Sequence, residues 1–121
     1  MEIYRVPANG NQPVNANPKH ILSVADVRNF AVVRDSSGLG QQEAFALGMH
    51  DTNYDMVVVD VFHKAGEPLS KRTVETLKYK KLGARRMVLA YLNIGAAESF
   101  RFYWQPGWRE GSPAWILGPY P

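Results

Sequence analysis

The feature that most constrains the fold is an uncharged, mainly apolar run between Arg86 and Glu98. A run of this kind is typical of a strand that is buried on both faces, as in a parallel sheet. Because side chains alternate along a strand, one face would carry only apolar residues and is expected to pack under helices. The members of that face are Val88, Ala90, Leu92 and Ile94. The members of the opposite face, which becomes polar only toward its carboxyl end, are Met87, Leu89, Tyr91 and Asn93.

Two earlier segments show the same division between faces. Phe30–Arg34 and Met56–Phe62 are predicted to be strands, and in the second of them valines occupy one face while the other becomes polar at Asp60. Helices are predicted between the strands, over Gln41–Met49 and from an N-cap at Ser70 to a closing Gly83. The inward stripe predicted for the second helix consists of Val74, Leu77 and Leu82. This alternation of strands and helices predicts an α/β fold built from parallel βα units.

A cluster of basic residues lies at the C-terminal end of the second predicted helix. Its members are Lys78, Lys80, Lys81, Arg85 and Arg86. Cations suit the C-terminal end of a helix dipole, so the cluster is predicted to be a solvated helix end rather than a binding patch. The formal charge of the chain is only +3, and basic residues are not interleaved with aromatic ones, so no nucleic-acid partner is expected.

Composition narrows the classes of function further. The chain has 121 residues, of which 45% are hydrophobic and 21% are charged, and this balance predicts a globular domain. Cysteine is absent and the three histidines lack ligand spacing, so neither a metal nor another cofactor is expected. No apolar stretch has the length of a membrane helix, and the first residues lack the pattern of a signal peptide. The compartment is left open by the sequence.

Candidate site residues gather where strands are predicted to end. An unpaired carboxylate is costly inside a core, so Asp60 is expected at a strand mouth or beside a partner such as Arg34 or Arg101. A structural salt bridge and a contact with substrate both stay open for Asp60. Glu98 and Arg101 have the spacing of an ion pair on one helical turn, and a short helix is predicted over Ser99–Trp104.

The segment that follows Gly95 is rich in aromatic residues. They are Phe100, Phe102, Tyr103, Trp104, Trp108, Trp115 and Tyr120. Aromatic faces suit the stacking of sugar rings, and they equally suit a loop that packs on the rim of a barrel. Both interpretations stay open for each ring taken singly.

The segment from Tyr91 to Trp104 resembles the motif Y-L-S-I-G-E-A-E-x-Y-R-x-Y-W of family 114 glycoside hydrolases, which are TIM-barrel proteins related to endo-α-1,4-polygalactosaminidases. The likeness continues through Trp108 and Pro113-Ala114-Trp115, and the segment Tyr54–Asp60 is similar to the family's second strand. It covers about residues 28–117. Ala96 stands where the family usually has the first Glu of its G-E-A-E, so that acidic group is absent.

The resemblance implies that the parallel βα units are the N-terminal part of a TIM barrel, left incomplete at about three units. A small stand-alone α/β domain with an open sheet is the alternative. The predicted domain limits are an irregular lead-in over residues 1–27, rich in Pro, Asn and Gly, and a partial barrel over residues 28–121.

The resemblance also implies a function. The parent protein would hydrolyse glycosidic bonds in an amino-sugar polysaccharide of the galactosaminogalactan type, outside the cell. Its catalytic acids are expected on later strands, beyond Pro121, so this chain alone is expected to be inactive. A non-catalytic carbohydrate-binding or interaction domain is the alternative. The candidates for contact with the saccharide are Asp60, Tyr91, Asn93, Glu98, Arg101 and Trp104.

Three βα units would leave both outer strands without neighbours. Such edges present unpaired N–H and C=O groups and tend to recruit another chain. The chain is therefore expected to form homo-oligomers through its sheet edges, to cover its exposed sheet face with its own N-terminal segment and aromatic tail, or to be only marginally stable.

Overall fold

The structure, a computed structural model, describes residues 16–93 and 95–119, and the chain divides into two compact units after Tyr91. In the described ranges, every helix and strand belongs to the first unit. The strands are β1 (Phe30–Val33), β2 (Met56–Asp60), β3 (Phe62–Lys64), β4 (Glu67–Pro68) and β5 (Met87–Tyr91). The α-helices are α1 (Gln42–His50) and α2 (Lys71–Leu77), and the 3-10 helices are Val24–Asp26 and Ser36–Leu39.

Strands β1, β2 and β5 form a parallel sheet with β2 at its centre. The register aligns Phe30 with Met56 and Met56 with Met87, and Val33 lies opposite Val59. Strands β3 and β4 form a separate antiparallel pair. The first unit is therefore a small α/β structure with a three-stranded parallel sheet and two α-helices, which confirms the fold class and the parallel βα units that the alternation of elements predicted.

One face of the sheet packs against both helices. Val57 and Val59 are buried there, as predicted, and so are Phe45 and Met49 of α1 and Leu77 of α2. Burial of a side chain of this size contributes about 1.5–3 kcal/mol relative to leaving it exposed. The aliphatic face of β2 therefore anchors the core of this unit.

The corresponding face of β5 is covered only at its start. Val88 packs against the core, but Ala90 is exposed, and Leu92 lies beyond the strand with 74% of its surface exposed. The prediction that this whole face packs under helices is therefore wrong for Ala90 and Leu92. Both α-helices precede β5 in the chain, and no helix follows it in the described ranges, so nothing of that kind covers its carboxyl half. Ile94 lies outside the described residues.

Helix α2 begins where the sequence predicted and ends earlier. The Ser70 hydroxyl accepts a hydrogen bond from the backbone N–H of Thr73 at 3.0 Å, which is the expected N-cap. The helix stops at Leu77, and the chain turns back on itself, with the N–H of Lys80 bonded to the carbonyl of Ala84. Leu82, expected on the inward stripe of the helix, is exposed because it lies in this turn.

The N-cap offers a test of the local structure. Ser70→Ala removes the acceptor for the Thr73 N–H, and we expect it to lower the free energy of unfolding by about 1 kcal/mol. Urea titration followed by circular dichroism measures the change. Ser99→Ala is the matched control, since the predicted helix at that serine does not form and its hydroxyl caps nothing. Equal midpoints for the two variants would show that the cap is not stabilising.

The described part of the lead-in belongs to the first unit and is partly buried in it. Asn17 and Ile21 are buried, and the N–H of Ile21 donates to the carbonyl of Arg85 at 3.0 Å. Residues 1–15 and Tyr120 lie outside the described ranges, together with the predictions made for them. Ile21 extends the buried apolar surface upstream of residue 28, where the partial barrel was predicted to begin.

The opposite face of the parallel sheet is apolar and only partly covered. Phe30 is 59% exposed, Leu89 is also exposed, and Val32 and Val58 are half-buried. Strands β1 and β5 are the outer strands of this sheet. The sheet thus has an open apolar face between two edge strands.

Candidate functional site

The carboxyl end of the parallel sheet carries two of the predicted site residues. Asp60 is the last residue of β2, Tyr91 is the last residue of β5, and the two are register partners. Alternation places Asp60 on the same face as Met56, away from the buried Val57. Its side chain is 93% buried, and its Oδ1 accepts a hydrogen bond from the N–H of Phe62 at 2.9 Å. The predicted position at a strand mouth is confirmed.

Arg34 joins this end of the sheet from the residue after β1. Its guanidinium carbon lies 5.0 Å from the centroid of the Tyr91 ring, and its Nη2 lies 3.4 Å from the phenol oxygen. A cation over an aromatic face is attracted by the ring quadrupole. Arg34, one of the two arginines named as possible partners of Asp60, contacts Tyr91 across the strand ends.

A buried Ser–His pair ties together the loops at the same end. The Nδ1 of His63 lies 2.8 Å from the Ser36 hydroxyl, and its Nε2 lies 2.8 Å from the carbonyl of Gly40. A carbonyl only accepts, so Nε2 carries a proton and donates to Gly40, while the serine hydroxyl can either donate to Nδ1 or accept from it. Both side chains are buried, so this pair fastens the loop after β1 to β3 and is closed to a substrate.

The second unit, from residue 92 onward, is built from turns in its described part. The N–H of Arg101 bonds to the carbonyl of Glu98, and the N–H of Trp104 bonds to the carbonyl of Arg101, each about 3 Å long. The predicted helix over Ser99–Trp104 is therefore wrong. These are separate four-residue turns, and Pro106 follows too soon for a longer helical run to form.

Glu98 forms the centre of a hydrogen-bonded group in these turns. Its carboxylate is paired with the Nε of Arg101, as the spacing predicted, and accepts from the Asn93 amide at 3.4 Å. The backbone N–H of Glu98 donates to the Tyr103 hydroxyl at 2.8 Å. Asn93 also accepts from the N–H of Gly95 at 3.0 Å, which closes the turn. Glu98 therefore links Asn93, Arg101 and Tyr103 within these turns.

A cleft of about 1000 Å³ lies within the second unit. Its aromatic wall includes Tyr103, Trp104 and Trp115, and its polar wall includes Asn93, Arg109 and Glu110. We call it the tryptophan cleft. A volume of this size suits a small ligand, and the mixture of apolar rings and few polar groups is usual in such sites.

Trp108 holds the aromatic wall together. Its ring meets that of Trp104 edge to face at 5.3 Å between centroids, and that of Trp115 in the same way at 5.1 Å. Such pairs contribute about 0.5–1.5 kcal/mol beyond their buried area. Trp104 and Trp115 are thus positioned by a shared neighbour while each lines the cleft.

The candidates predicted from sequence fall into two groups. Asn93 and Trp104 line the tryptophan cleft, with Glu98 and Arg101 in the supporting turns of the same unit. The other two candidates, Asp60 and Tyr91, belong to the first unit. The chemistry in the cleft also includes two residues that sequence reasoning missed, Arg109 and Glu110. The signal in the sequence near these two residues is Gly111, which directly follows them and favours a turn.

A buried ion pair lies at the opposite, amino-terminal end of the parallel sheet. Lys80 Nζ lies 2.6 Å from Asp55 Oδ1, and neither side chain is exposed. The other carboxylate oxygen accepts from the N–H of Arg28 at 2.8 Å and from the Asn17 amide at 3.1 Å. Burial alone would raise the pKa of Asp55, but these hydrogen bonds and the Lys80 charge outweigh it and lower that pKa below its usual value of 3.8.

Arg86 is buried at the same end and binds backbone carbonyls. Nη1 donates to the carbonyl of Met49, Nη2 to that of Thr52, and Nε to that of Tyr54, all within 3 Å. Burial lowers the pKa of Arg86 to about 10, with the charge of Asp55 acting in the opposite direction, so the guanidinium stays charged at neutral pH. The prediction of a solvated basic cluster is wrong for Lys80 and Arg86.

Neither a metal cluster nor a membrane helix is found in the described ranges. There, no three His, Asp or Glu side chains are grouped so that they could hold a metal ion. None of the helices in the same ranges has the length and apolarity needed to cross a membrane.

Comparison with known proteins finds relatives that are much longer than this chain. Neither a family model nor a solved structure matches it. It is 40% identical over 85 residues to an uncharacterized protein of Deinococcus radiodurans, covering 70% of this chain and 25% of the relative. It is 36% identical over 67 residues to one of Methanocaldococcus jannaschii (54% and 18%) and 31% identical over 75 residues to one of Thermotoga maritima (62% and 23%). The chain thus spans about a quarter or less of the length of these relatives.

Proposed function

We propose that this chain supplies a saccharide-binding part of a glycoside hydrolase-like barrel protein that acts on an amino-sugar polysaccharide. The observation that carries the proposal is the tryptophan cleft, whose walls combine Trp104 and Trp115 with Asn93, Arg109 and Glu110. A sugar ring has apolar C–H faces that pack on aromatic rings, and hydroxyls that need hydrogen-bonding groups around them. The cleft offers both kinds of contact.

The barrel part of the proposal is supported by the parallel sheet. In a TIM barrel, the inner face of every strand is covered by side chains from the other strands. The partly covered face with Phe30, Val58 and Leu89 suits such coverage. In the described ranges β1 and β5 each have one strand neighbour in the sheet, and their outer edges suit further strands or a second copy of the chain. The much greater length of the relatives leaves ample sequence for the remaining units of a barrel.

Hydrolysis by this chain alone is not part of the proposal. Glycoside hydrolysis usually uses two carboxyl groups that flank the scissile bond. In the described part of the second unit, Glu98 is paired with Arg101, and Glu110 is the carboxylate that lines the cleft. We therefore place the catalytic acids elsewhere in the whole protein and assign this chain a role in binding the saccharide.

The alternative, a non-catalytic carbohydrate-binding domain, would use the same cleft. It differs in what the longer protein does, because it requires no acids on later strands. Turnover of the polysaccharide by a full-length relative such as the Deinococcus radiodurans protein would favour the hydrolase. Binding without turnover by that full-length protein would favour the binding domain.

Tryptophan fluorescence and calorimetry test whether the cleft binds saccharides. Oligosaccharides of galactosamine are expected to change the emission of the chain, and Trp115→Ala is expected to weaken their binding about tenfold, since an aromatic stacking partner contributes on the order of 1 kcal/mol. Phe100→Ala is the matched control, because Phe100 is an exposed aromatic residue of the same unit that does not line the cleft. No binding by the wild type, or an equal loss in both variants, would contradict the proposal.

A further inference from the structure

We propose that Glu110 makes the tryptophan cleft selective for ligands that carry a free ammonium group. This inference rests on the proposed function, in which the cleft binds saccharides. It goes further by naming one residue as the source of selectivity between charged and neutral sugar units. The described second unit has two carboxylates, Glu98 and Glu110. Glu98 is paired with Arg101, whereas Glu110 lines the cleft.

Glu98, the first of these carboxylates, is already neutralised. It forms an ion pair with Arg101 and accepts a hydrogen bond from Asn93, and four-fifths of its side chain is buried. A ligand cation would have to displace Arg101 in order to reach it. The motif acid is therefore a poor candidate for recognising a charged ligand.

Glu110, the second carboxylate, is exposed and lines the cleft. In the part of the chain that the structure describes, it forms no ion pair with Lys, Arg or His. The backbone of Gly118 runs beside it, since a Cβ placed on that glycine would lie 3.7 Å from the carboxyl carbon. The absence of a side chain at position 118 leaves the space around the carboxylate to a ligand.

The aromatic wall adds to the attraction for a cation. Tyr103, Trp104 and Trp115 line the same cleft, and ring faces attract ammonium groups through their quadrupole. A carboxylate combined with aromatic faces thus favours a protonated amine over a hydroxyl at the same position. An acetylated amine carries no charge and gains neither interaction.

Arg109 is expected to orient a sugar unit in the cleft. It lines the cleft next to Glu110, and its guanidinium repels an ammonium group but donates hydrogen bonds to hydroxyl, acetamido or ring oxygens. A sugar unit with one amine and several oxygens is therefore oriented with the amine toward Glu110. Removing the charge of Arg109 is expected to strengthen the binding of amino sugars and to leave the preference intact.

Matched oligosaccharides of equal length test the inference. Chitosan oligomers carry ammonium groups at pH 6, and chitin oligomers are their acetylated counterparts. Calorimetry with the whole chain is expected to show about tenfold tighter binding of the chitosan oligomer, the scale of one charge-assisted hydrogen bond. Glu110→Gln is expected to abolish this preference and to change chitin binding by less than about twofold, while Glu43→Gln, an exposed carboxylate of α1, retains the preference.

The outcomes separate this inference from the proposed function. If the wild type binds both oligomers equally, or if Glu110→Gln keeps the preference, the role of Glu110 is wrong while saccharide binding stands. If neither oligomer nor a galactosamine oligosaccharide binds, both proposals are overturned. Matching thermal melts of the wild type and Glu110→Gln are expected, because the replaced carboxylate is exposed, and they would exclude unfolding as the cause of lost binding.

Discussion

Replacing Asp55 by Asn is expected to lower the free energy of unfolding by about 3–5 kcal/mol at neutral pH. The substitution keeps the shape of the side chain and removes the charge that faces Lys80 at 2.6 Å. The ammonium group would then be buried without a counter-charge, and the Asn amide offers one acceptor oxygen where the carboxylate offers two. If that oxygen faces Lys80, the amide NH2 faces the donors of Arg28 and Asn17. A loss of this size is a large share of the 5–15 kcal/mol by which most domains are stable.

The same substitution is expected to flatten the pH dependence of stability in acid. The pKa of Asp55 is lowered in the folded state, so the unfolded chain binds the proton more readily. The contribution of Asp55 is therefore fully present above its unfolded pKa of about 3.8, and it is lost as the pH falls below that value through the folded pKa. Asn does not titrate, and the variant lacks this component of acid destabilisation.

Urea unfolding at several pH values measures both effects. Asp51→Asn is the matched control, since Asp51 is exposed and pairs with Lys81 at 3.3 Å on the surface, where an ion pair contributes at most about 1 kcal/mol. Similar losses in the two variants would show that the pair between Asp55 and Lys80 is not the buried contact described here. A wild-type pH profile unchanged by Asp55→Asn would contradict the role of this carboxylate in acid.

Replacing Arg86 by Met is expected to destabilise the first unit by at least about 3 kcal/mol. The substitution keeps an unbranched apolar stem and removes the guanidinium. The carbonyls of Met49, Thr52 and Tyr54 would each lose a charged donor, and a hydrogen bond to a charged group contributes about 1.5–3 kcal/mol. The carbonyls of Met49 and Thr52 keep other donors, the Thr52 hydroxyl and the Lys81 N–H. The effect is expected to be seen in the midpoint of urea unfolding, with compaction checked by light scattering.

The location of Arg86 explains why one side chain has so large an effect. It donates to Met49 in the last turn of α1, and it lies 3.4 Å from the carbonyl of Leu77 at the end of α2. The last carbonyls of a helix lack intrahelical partners and carry partial negative charge. One cation therefore serves the C-terminal ends of both helices that cover the sheet.

Arg85→Met is the matched control for this prediction. Arg85 is the neighbouring residue, is exposed, and has its guanidinium 5.7 Å from the Tyr79 ring. Its replacement is expected to change the free energy of unfolding by less than about 1 kcal/mol. If Arg85→Met proves as costly as Arg86→Met, the buried donor to the helix ends cannot be the source of the loss.

Local patterns in the sequence determined the parallel sheet and its buried face. Alternating valines specify which side of β2 faces the helices, because a strand has only two sides and apolar side chains leave water. The position of Ser70 before an amphipathic segment specified the start of α2, since an N-cap needs only a hydroxyl and the N–H three residues later. These features depend on neighbours a few residues apart.

The same local patterns failed where the outcome depended on distant segments. Lys80 and Lys81 are adjacent in the sequence, yet Lys80 is buried against Asp55, and Lys81 is on the surface with Asp51. A helix dipole would attract both lysines equally if the helix continued to them. The helix ends at Leu77, and the chain then reverses, so the two side chains meet different surroundings. Burial of one lysine required a carboxylate from a segment 25 residues away in the chain.

Tertiary structure alone also decided which polar residues meet in the tryptophan cleft. Glu98 was the conspicuous acid of a recognisable motif, yet it is consumed by an ion pair, whereas Glu110 in an unremarked turn lines the cleft. Sequence determines which side chains carry charge and which segments bury an apolar face. Whether a charge is paired, buried or open to a ligand depends on backbone turns that bring it beside residues distant in the sequence. The free-energy difference between a paired and an open charge comes from desolvation and pairing rather than from local propensity.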